Sequence, residues 1–350
     1  MTALNVATST QRRIVFYLLP EFTLLAFSSA LEALRLANEV LGFEAYSWRT
    51  VSAHGGKVFS SAGLAFDTDS SVAAERQYRN SFHQPTAVIV CAGKNVETHR
   101  DRIAEAWLRE CHNRGTAIGS LCTGAHVLAN AGLLNDRRCS IHWETIPGFM
   151  ERFLDTEVAL GIYHLDDDIF TCAGGTASFD MMLHIIEKDF GQAVASGICE
   201  LALVDHPRAP ESRQRLPFAQ RVGTRNPRVL AMIAEMEKNL GEPRKIEELL
   251  ASAGRSRRQL ERLFKNELGF SPARYYLKLR LERAKLLLLQ TSLPIVDVAI
   301  ACGFVSGSHF SRCYRVEYGC SPDETRRKSA APRRGRRTPV VEAPRLAEVA

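Results

Sequence analysis

One pattern occurs twice in the last third of the chain. Ser256, Leu260, Phe264, Glu267, Gly269, Ser271 and Pro272 are matched fifty positions later by Ser306, Phe310, Tyr314, Glu317, Gly319, Ser321 and Pro322. Upstream the offset is forty-nine, pairing Ile246, Leu249, Ala253 and Gly254 with Ile295, Val298, Cys302 and Gly303, so the second copy carries one extra residue in its turn. Each copy has an apolar-spaced helix, a turn containing glycine, a serine in N-cap position and a second helix with apolar residues at i and i+4. That layout is helix-turn-helix, in which the first helix packs and the second lies in a DNA major groove. Helical patterning runs almost unbroken from Pro227 to about residue 327, so this part of the chain is expected to be all-α.

The outward residues of the two second helices carry the chemistry. The first presents Arg257, Arg258, Glu261, Arg262 and Lys265 around an inner face of Leu260, Leu263 and Phe264. The second presents Ser308, His309, Ser311, Arg312 and Arg315 around Phe310, Cys313 and Tyr314. Arg262 and Arg312 fall at the same place in both copies, as bidentate reading of guanine would use. For one amphipathic helix, outward arginines usually mean a solvated face; two in register, each behind a glycine turn, point to duplex DNA. Between the copies, Ser271-Pro272 reads as an N-cap and first helical residue opening a long helix through Gln290. Leu277, Leu281, Ala284 and Leu288 form its stripe, with Lys278, Arg280, Arg283 and Lys285 off it. At 1.5 Å per residue, a connector of about 18 residues is about 27 Å long, able to set two recognition helices about one DNA turn apart.

Charge divides along the same line. Residues 1–240 hold 23 Lys/Arg against 27 Asp/Glu, residues 241–325 hold 14 against 10, and residues 326–350 hold 8 against 2. A polyanion would therefore be met by the back of the chain. The tail from Arg326, with Arg333-Arg334-Gly335-Arg336-Arg337, lacks periodicity and reads as a disordered basic segment over 328–350. Nine cysteines without a C-x-x-C pair argue against a disulfide framework and a thiolate zinc site, and no metal or cofactor is expected. No run approaches the roughly 18 apolar residues of a membrane span and no secretory pattern opens the chain, so a cytoplasmic, membrane-free protein is expected.

At these residues the resemblance is close. The segments S-R-R-Q-L-E-R-L-F-K-N-E-L-G-F-S-P-A-R-Y, R-L-E-R-A-K-L-L-L and V-A-I-A-C-G-F-V-S-G-S-H-F-S-R-C-Y resemble the DNA-binding domain of the AraC/XylS family of transcription regulators across 241–327. Carried over position by position, the resemblance implies base-facing roles for Arg258, Glu261 and Arg262 in the first helix and for Gly307, Ser308, Ser311 and Arg312 in the second. Arg255 stands where the family usually has an apolar residue. Gly307 and Ser308 stand where many members have larger contacting side chains, so the second helix would read fewer bases directly.

Residues 12–204 alternate short buried runs with helical stretches, which indicates an α/β domain around a mainly parallel sheet whose strand order the pattern does not give; a flavodoxin-like fold with the sheet sandwiched by helices is expected. Strands are read at Ile14–Leu19, Ala87–Cys91, Thr116–Leu121 and Ile169–Ala173. A capping-box spacing, Ser29-Ala30-Leu31-Glu32, predicts a helix opening there and closing near Gly42. Further helices are read over 97–114 and 176–190. A Pro/Arg-rich stretch over 205–226 reads as a linker between the domain at 12–204 and the DNA-binding domain at 227–327.

Gly119-Ser120-Leu121-Cys122-Thr123-Gly124-Ala125 reads as a strand-to-helix turn that places a thiol where α/β enzymes place a nucleophile. With His142 as its base, the alternative function is a cysteine-dependent amidotransferase or hydrolase; the plainer reading of Cys122 is structural. The region resembles the PfpI-like and class I glutamine amidotransferase-like fold, in the form fused to AraC-type domains in GlxA-family regulators. Peptidase relatives carry His directly after the Cys, where this chain has Thr123, and amidotransferases carry their H-x-E far downstream of His142-Trp143-Glu144. The resemblance thus implies an elbow kept as the wall of a ligand pocket, with Cys122, Thr123, His142 and Trp143 as its candidates and no enzymatic activity. Segments 26–38 and 173–182 look like the branch whose members sense glycine betaine, carnitine or arginine. For a quaternary amine an aromatic cage is expected, to which Phe22, Phe27, Trp143 or Tyr163 would contribute. The implied protein is a sequence-specific regulator, an activator working with RNA polymerase at a promoter operator, homodimeric and responsive to a small-molecule effector. A nucleoid-type structural DNA binder is the third reading.

Overall fold

The apolar run at the start of the first domain forms the central strand of a parallel sheet, and its side chains alternate between two cores. In this computed structural model, which describes residues 11–77, 84–216, 218–251 and 257–330, two compact units part between Leu230 and Ala231. The front unit runs β1 (Arg12–Leu18), α1 (Leu24–Leu41), β2 (Tyr46–Ser52), β3 (Gly56–Phe59), β4 (Ala65–Thr68), β5 (Ser70–Ser71), α2 (Val72–Gln77), β6 (Ala87–Cys91), α3 (Arg102–Asn113), β7 (Ala117–Leu121) and α4 (Ala125–Asn130). It continues with β8 (Arg138–Ser140), α5 (Ile146–Arg152), β9 (Glu157–Ala159), β10 (Tyr163–Leu165), β11 (Ile169–Cys172), α6 (Ala177–Phe190), α7 (Gln192–Ala202) and α8 (Phe218–Val222).

The main sheet has the order β10-β11-β7-β6-β1-β2-β5. Every pairing in it is parallel except β10 with β11. Ile14, Phe16 and Leu18 face a core shared with α1, α6 and α7, while Val15 and Tyr17 face one shared with α3, α4 and α5. Burial on both faces explains why the strands read as unbroken apolar runs rather than alternating ones. The chain leaves β1 toward β2 and returns on the other side as β6, so the sheet's switch point lies between β1 and β6, at the carboxyl ends where open α/β sheets place their crevice.

Several expectations shift. Helix α1 starts five residues before Ser29, which sits inside it; the preceding Phe22 and the helix's Phe27 stack edge-to-face in the core and pull the first turn upstream. The stretch read as one helix from Glu97 is a short 3-10 turn at Val96–Thr98 and then α3, restarted by Asp101, whose carboxylate accepts from the backbone N–H groups of Ile103 and Ala104. The hairpin β3–β4, the seven-residue β2 and the short strands β5, β8, β9 and β10 carried no pattern strong enough to read.

The back unit contains α9 (Pro227–Lys238), which begins before the parting, α10 (Ile246–Ala251), α11 (Arg257–Leu268), α12 (Pro272–Gln290), α13 (Ile295–Ala301), α14 (Gly307–Tyr318) and α15 (Pro322–Ala330). Among the described residues its elements are all helices, as the patterning required, and α15 reaches into the segment read as tail. The rest of that expectation, residues 331–350, lies outside the described residues, as do Arg255 and the Ser256 cap. The core of the second copy is Leu281, Ala284, Leu287 and Leu288 of α12 against Val298, Ala299, Cys302, Phe304, Phe310 and Tyr314. No helix among the described residues is long and apolar enough to cross a membrane.

Candidate functional sites

The second copy is the more completely defined head. Ser306 caps α14, its hydroxyl accepting from the His309 N–H at 3.4 Å, and Gly319 closes the helix in the left-handed conformation. Phe310 and Tyr314 are fully buried, which leaves Ser308, His309, Arg312 and Arg315 on the exposed face, with Gly307 and Ser311 half-buried beside them. His309 turns back along its own helix, 3.3 Å from the Cys313 thiol and edge-on to Phe304. In the first copy, Phe264 is buried while Arg258, Arg262 and Lys265 are exposed and Glu261 is half-buried. Arg257 begins α11, but its side chain lies outside the described residues.

Two arginines fix the second head on its bar: Arg280, read from the sequence only as lying off the apolar stripe, and Arg274, which carried no sequence signal. Arg280 of α12 donates from Nε to the Cys302 carbonyl at 2.8 Å and from Nη2 to the Gly303 carbonyl at 2.7 Å, and its guanidinium lies 4.1 Å from the centre of the Phe304 ring. It thereby satisfies carbonyls at the end of α13 that the helix itself leaves open. Arg274, in the first turn of α12, pairs with Glu317 of α14 at 2.6 Å. Nothing in the apolar period separates Arg280 from Lys278 or Arg283: all three are half-buried, and off-stripe spacing does not say what a side chain meets. The bar itself is 19 residues, capped by Ser271 as the sequence indicated.

In the front unit the strand-to-helix turn is present. Cys122, directly after β7, has φ +60°, a left-handed conformation uncommon for a residue with a side chain. The turn is hemmed in by glycines. A Cβ on Gly174 would stand 2.7 Å from the Cys122 Cβ, and one on Gly124 would stand 2.5 Å from the Val90 carbonyl. The thiol's hydroxyl partner is Thr23, whose Oγ1 donates to Sγ at 3.3 Å; Thr123 instead donates to the Gly93 carbonyl at 2.7 Å. His142 meets the elbow through its backbone, its N–H donating to the Cys122 carbonyl at 3.3 Å, and no hydrogen bond joins its ring to the thiol. Burial pushes the Cys122 thiol above its ordinary range despite the Thr23 hydrogen bond, and burial pushes His142 down although Glu144 opposes it. Both groups are therefore neutral near pH 7, unlike an activated nucleophile and its base.

Of the four cage candidates, Phe22, Phe27 and Tyr163 are core residues: Phe22 and Phe27 pack on each other and on Phe66, and the buried Tyr163 donates its hydroxyl to the Arg208 carbonyl. Trp143 alone of the four is half-buried, its ring beside that of His142 and under the Arg215 guanidinium, 4.3 Å from the ring centre. Much of the stretch read as linker is therefore laid down on the front unit. The Pro210 carbonyl accepts from the Ile162 N–H, Gln214 donates to the carbonyls of Ile141 and Gly161, and Arg208 pairs with Asp180 at 2.6 Å. Among the described residues, no three His, Cys, Asp or Glu side chains gather as a metal would need.

This pairing of an elbow-bearing doubly wound domain with tandem helix-turn-helix heads defines a ligand-sensing type of DNA-binding regulator. The model of the DJ-1/PfpI family matches residues 12–188, and that of a helix-turn-helix domain matches residues 249–328. The chain is 40% identical to the HTH-type transcriptional regulator GbdR of Pseudomonas aeruginosa over 89% of this chain and 83% of that one. It is 37% identical to the HTH-type transcriptional regulator CdhR of the same species, over 89% and 90%. To the HTH-type transcriptional regulator GlxA of Rhizobium meliloti it is 35% identical over 91% and 97%. The chain belongs to the GlxA-type branch of the AraC/XylS family of transcriptional regulators, with a DJ-1/PfpI domain in front.

Proposed function

We propose that the back unit reads two adjacent major-groove segments through the exposed faces of α11 and α14, and that the front unit binds a small effector at the elbow rim formed by Cys122, Thr123, His142 and Trp143. The observation that carries the DNA reading is α14: Phe310 and Tyr314 lock its inner face into the core, Arg274 pins Glu317, and Arg312 is left exposed at the groove-facing position. Arg258, Glu261 and Arg262 take the same role in the first head, with Arg257, Lys265, Gly307, Ser308, His309 and Ser311 around them. The regulator acts as a homodimer in the cytoplasm and activates transcription with RNA polymerase, its effector a quaternary amine such as glycine betaine or carnitine, or arginine. An effector of this kind works only by binding one conformational state more tightly than another.

The neutral, Thr23-bonded thiol supports a front unit that senses rather than catalyses. A genomic footprint with the full chain, followed by Cys122→Ala, tests both parts. The expected outcome is protection of a defined operator and retained regulation in the variant. Protection without sequence preference would favour a structural DNA binder. Glutaminase or peptidase activity in the parent protein, lost in the variant, would favour the enzyme.

A further inference from the structure

Trp143 is the accessible aromatic face at the elbow rim, and it is already covered by a cation that the chain supplies itself. Arg215 stacks on it at 4.3 Å, beside His142, while the carboxylate of the next residue, Glu144, lies 3.9 Å from the His142 ring and is near enough to Cys122 to raise its thiol. An indole face with a carboxylate close by is a recognition element for weakly hydrated organic cations. The front of the chain also carries the negative balance that would draw such cations in.

Arg215 stands at the end of a strap rather than on a free side chain of the domain. Residues 208–214 are tied to the front unit by Arg208 with Asp180 and Thr176, by the bridge between Gly161 and Arg213 and by the two Gln214 bonds. Gly161 makes the close approach possible, since a Cβ there would lie 2.2 Å from the Pro210 carbonyl. Two polar atoms at this tie, Gln214 Oε1 and the hydroxyl of buried Ser140, have no hydrogen-bond partner. The chain that leaves the strap passes through α8 and enters the second unit at Ala231.

We infer that the Trp143 face is a site for the head group of a small organic cation, and that Arg215 is its built-in competitor. An effector carrying a guanidinium or methylated ammonium group displaces Arg215 and loosens the end of the strap, from which the chain runs on to the DNA-reading unit. This rests on the sensor reading above and adds to it the aromatic face, the chain's own competitor for it and the element that reports occupancy. A tethered competitor lowers the apparent affinity by the fraction of molecules in which the face is open. Removing Arg215 therefore tightens cation binding, while removing the indole abolishes it.

The test titrates the full chain with methylguanidinium and, separately, tetramethylammonium, by calorimetry against sodium chloride of equal ionic strength. Parent, Arg215→Ala and Trp143→Leu proteins are compared, and trypsin cleavage after Arg213 is followed in parallel. The expected result is binding roughly three- to tenfold tighter in Arg215→Ala than in the parent, none in Trp143→Leu, and faster cleavage after Arg213 as the cation saturates the parent. The two cations distinguish a planar from a methylated head group. Equal affinity in parent and Arg215→Ala, or binding that survives Trp143→Leu, overturns the competitor; the second result would still leave an effector site elsewhere at the elbow. Absence of binding to all three proteins overturns the cation chemistry. Operator binding by the parent, measured alongside, fails only if the regulator reading itself is wrong.

Discussion

Arg312 and His126 illustrate opposite fates of a cationic side chain. Arg312 keeps its charge in water on the outer face of α14, where a guanidinium can meet the O6 and N7 atoms of guanine. Arg312→Ala is expected to cost about 1–3 kcal/mol at its cognate base and to relax preference there; uniform loss over all sequences in a binding assay would reassign the residue to phosphate. His126, in α4 just behind the elbow, is buried against Phe149 and Phe153. Burial, assisted by Arg152, lowers its pKa from 6.5 to about 3. An unfolded chain takes up a proton there below pH 6.5, and the folded one does not until about pH 3, so this stability is full above pH 6.5 and drains away as pH falls toward 3. Glu97, raised by burial from 4.5 to about 7, has the opposite sign, its contribution being lost as pH rises through that range. Melting temperatures of the parent and His126→Phe between pH 7 and pH 4 separate the two: the acid-side loss should be shallower in the variant, and an unchanged slope would rule His126 out as its source. The same residue scale limits what a sequence can convey. Cys122 was visible as an elbow thiol, but its neutrality comes from burial and its hydrogen-bond partner is Thr23, a residue 99 positions away.

Element boundaries were legible where a local signal acts alone and moved where packing competes with it. Ser271-Pro272 opens α12 as its chemistry demands, the Ser271 hydroxyl accepting from the Arg274 N–H. Ser29-Ala30-Leu31-Glu32 has capping-box spacing too, yet the burial of Phe22 and Phe27 outweighs it and the helix begins at Leu24; apolar burial of an aromatic side chain is worth about 1.5–3 kcal/mol, more than a cap's typical ~1 kcal/mol. Arg280 belongs to this scale because it joins α12 to the α13–α14 turn through two backbone carbonyls. Arg280→Met keeps much of the stem packing but leaves those carbonyls and Phe304 without the cation. The second head should then lose alignment on the bar, weakening discrimination at its half of the operator while the first head's half is read as before. Equal weakening of both halves in a footprint would indicate general loss of stability instead.

At the scale of the whole molecule, the back of the chain carries the positive charge and the front does not, so DNA affinity should fall steeply with salt. Arg258, Arg262, Lys265, Arg312 and Arg315 are exposed on the two reading helices. If about that many phosphates are neutralised, log affinity against log salt has a slope on the order of −4 or steeper. A flat response of the full chain would remove DNA as the partner. The sequence by itself determined the class of each unit, the duplicated heads and the position of the elbow, because apolar periodicity, caps and a fifty-residue repeat are local properties that survive in one dimension. Only the tertiary structure decided that Thr23 holds the Cys122 thiol, that Arg280 clamps a turn rather than facing water, and that Arg215 of an apparent linker lies on Trp143. Each of those joins residues 22 to 99 positions apart, and a cation or hydroxyl has the same one-dimensional signature whether its partner is solvent, a carbonyl or an aromatic ring.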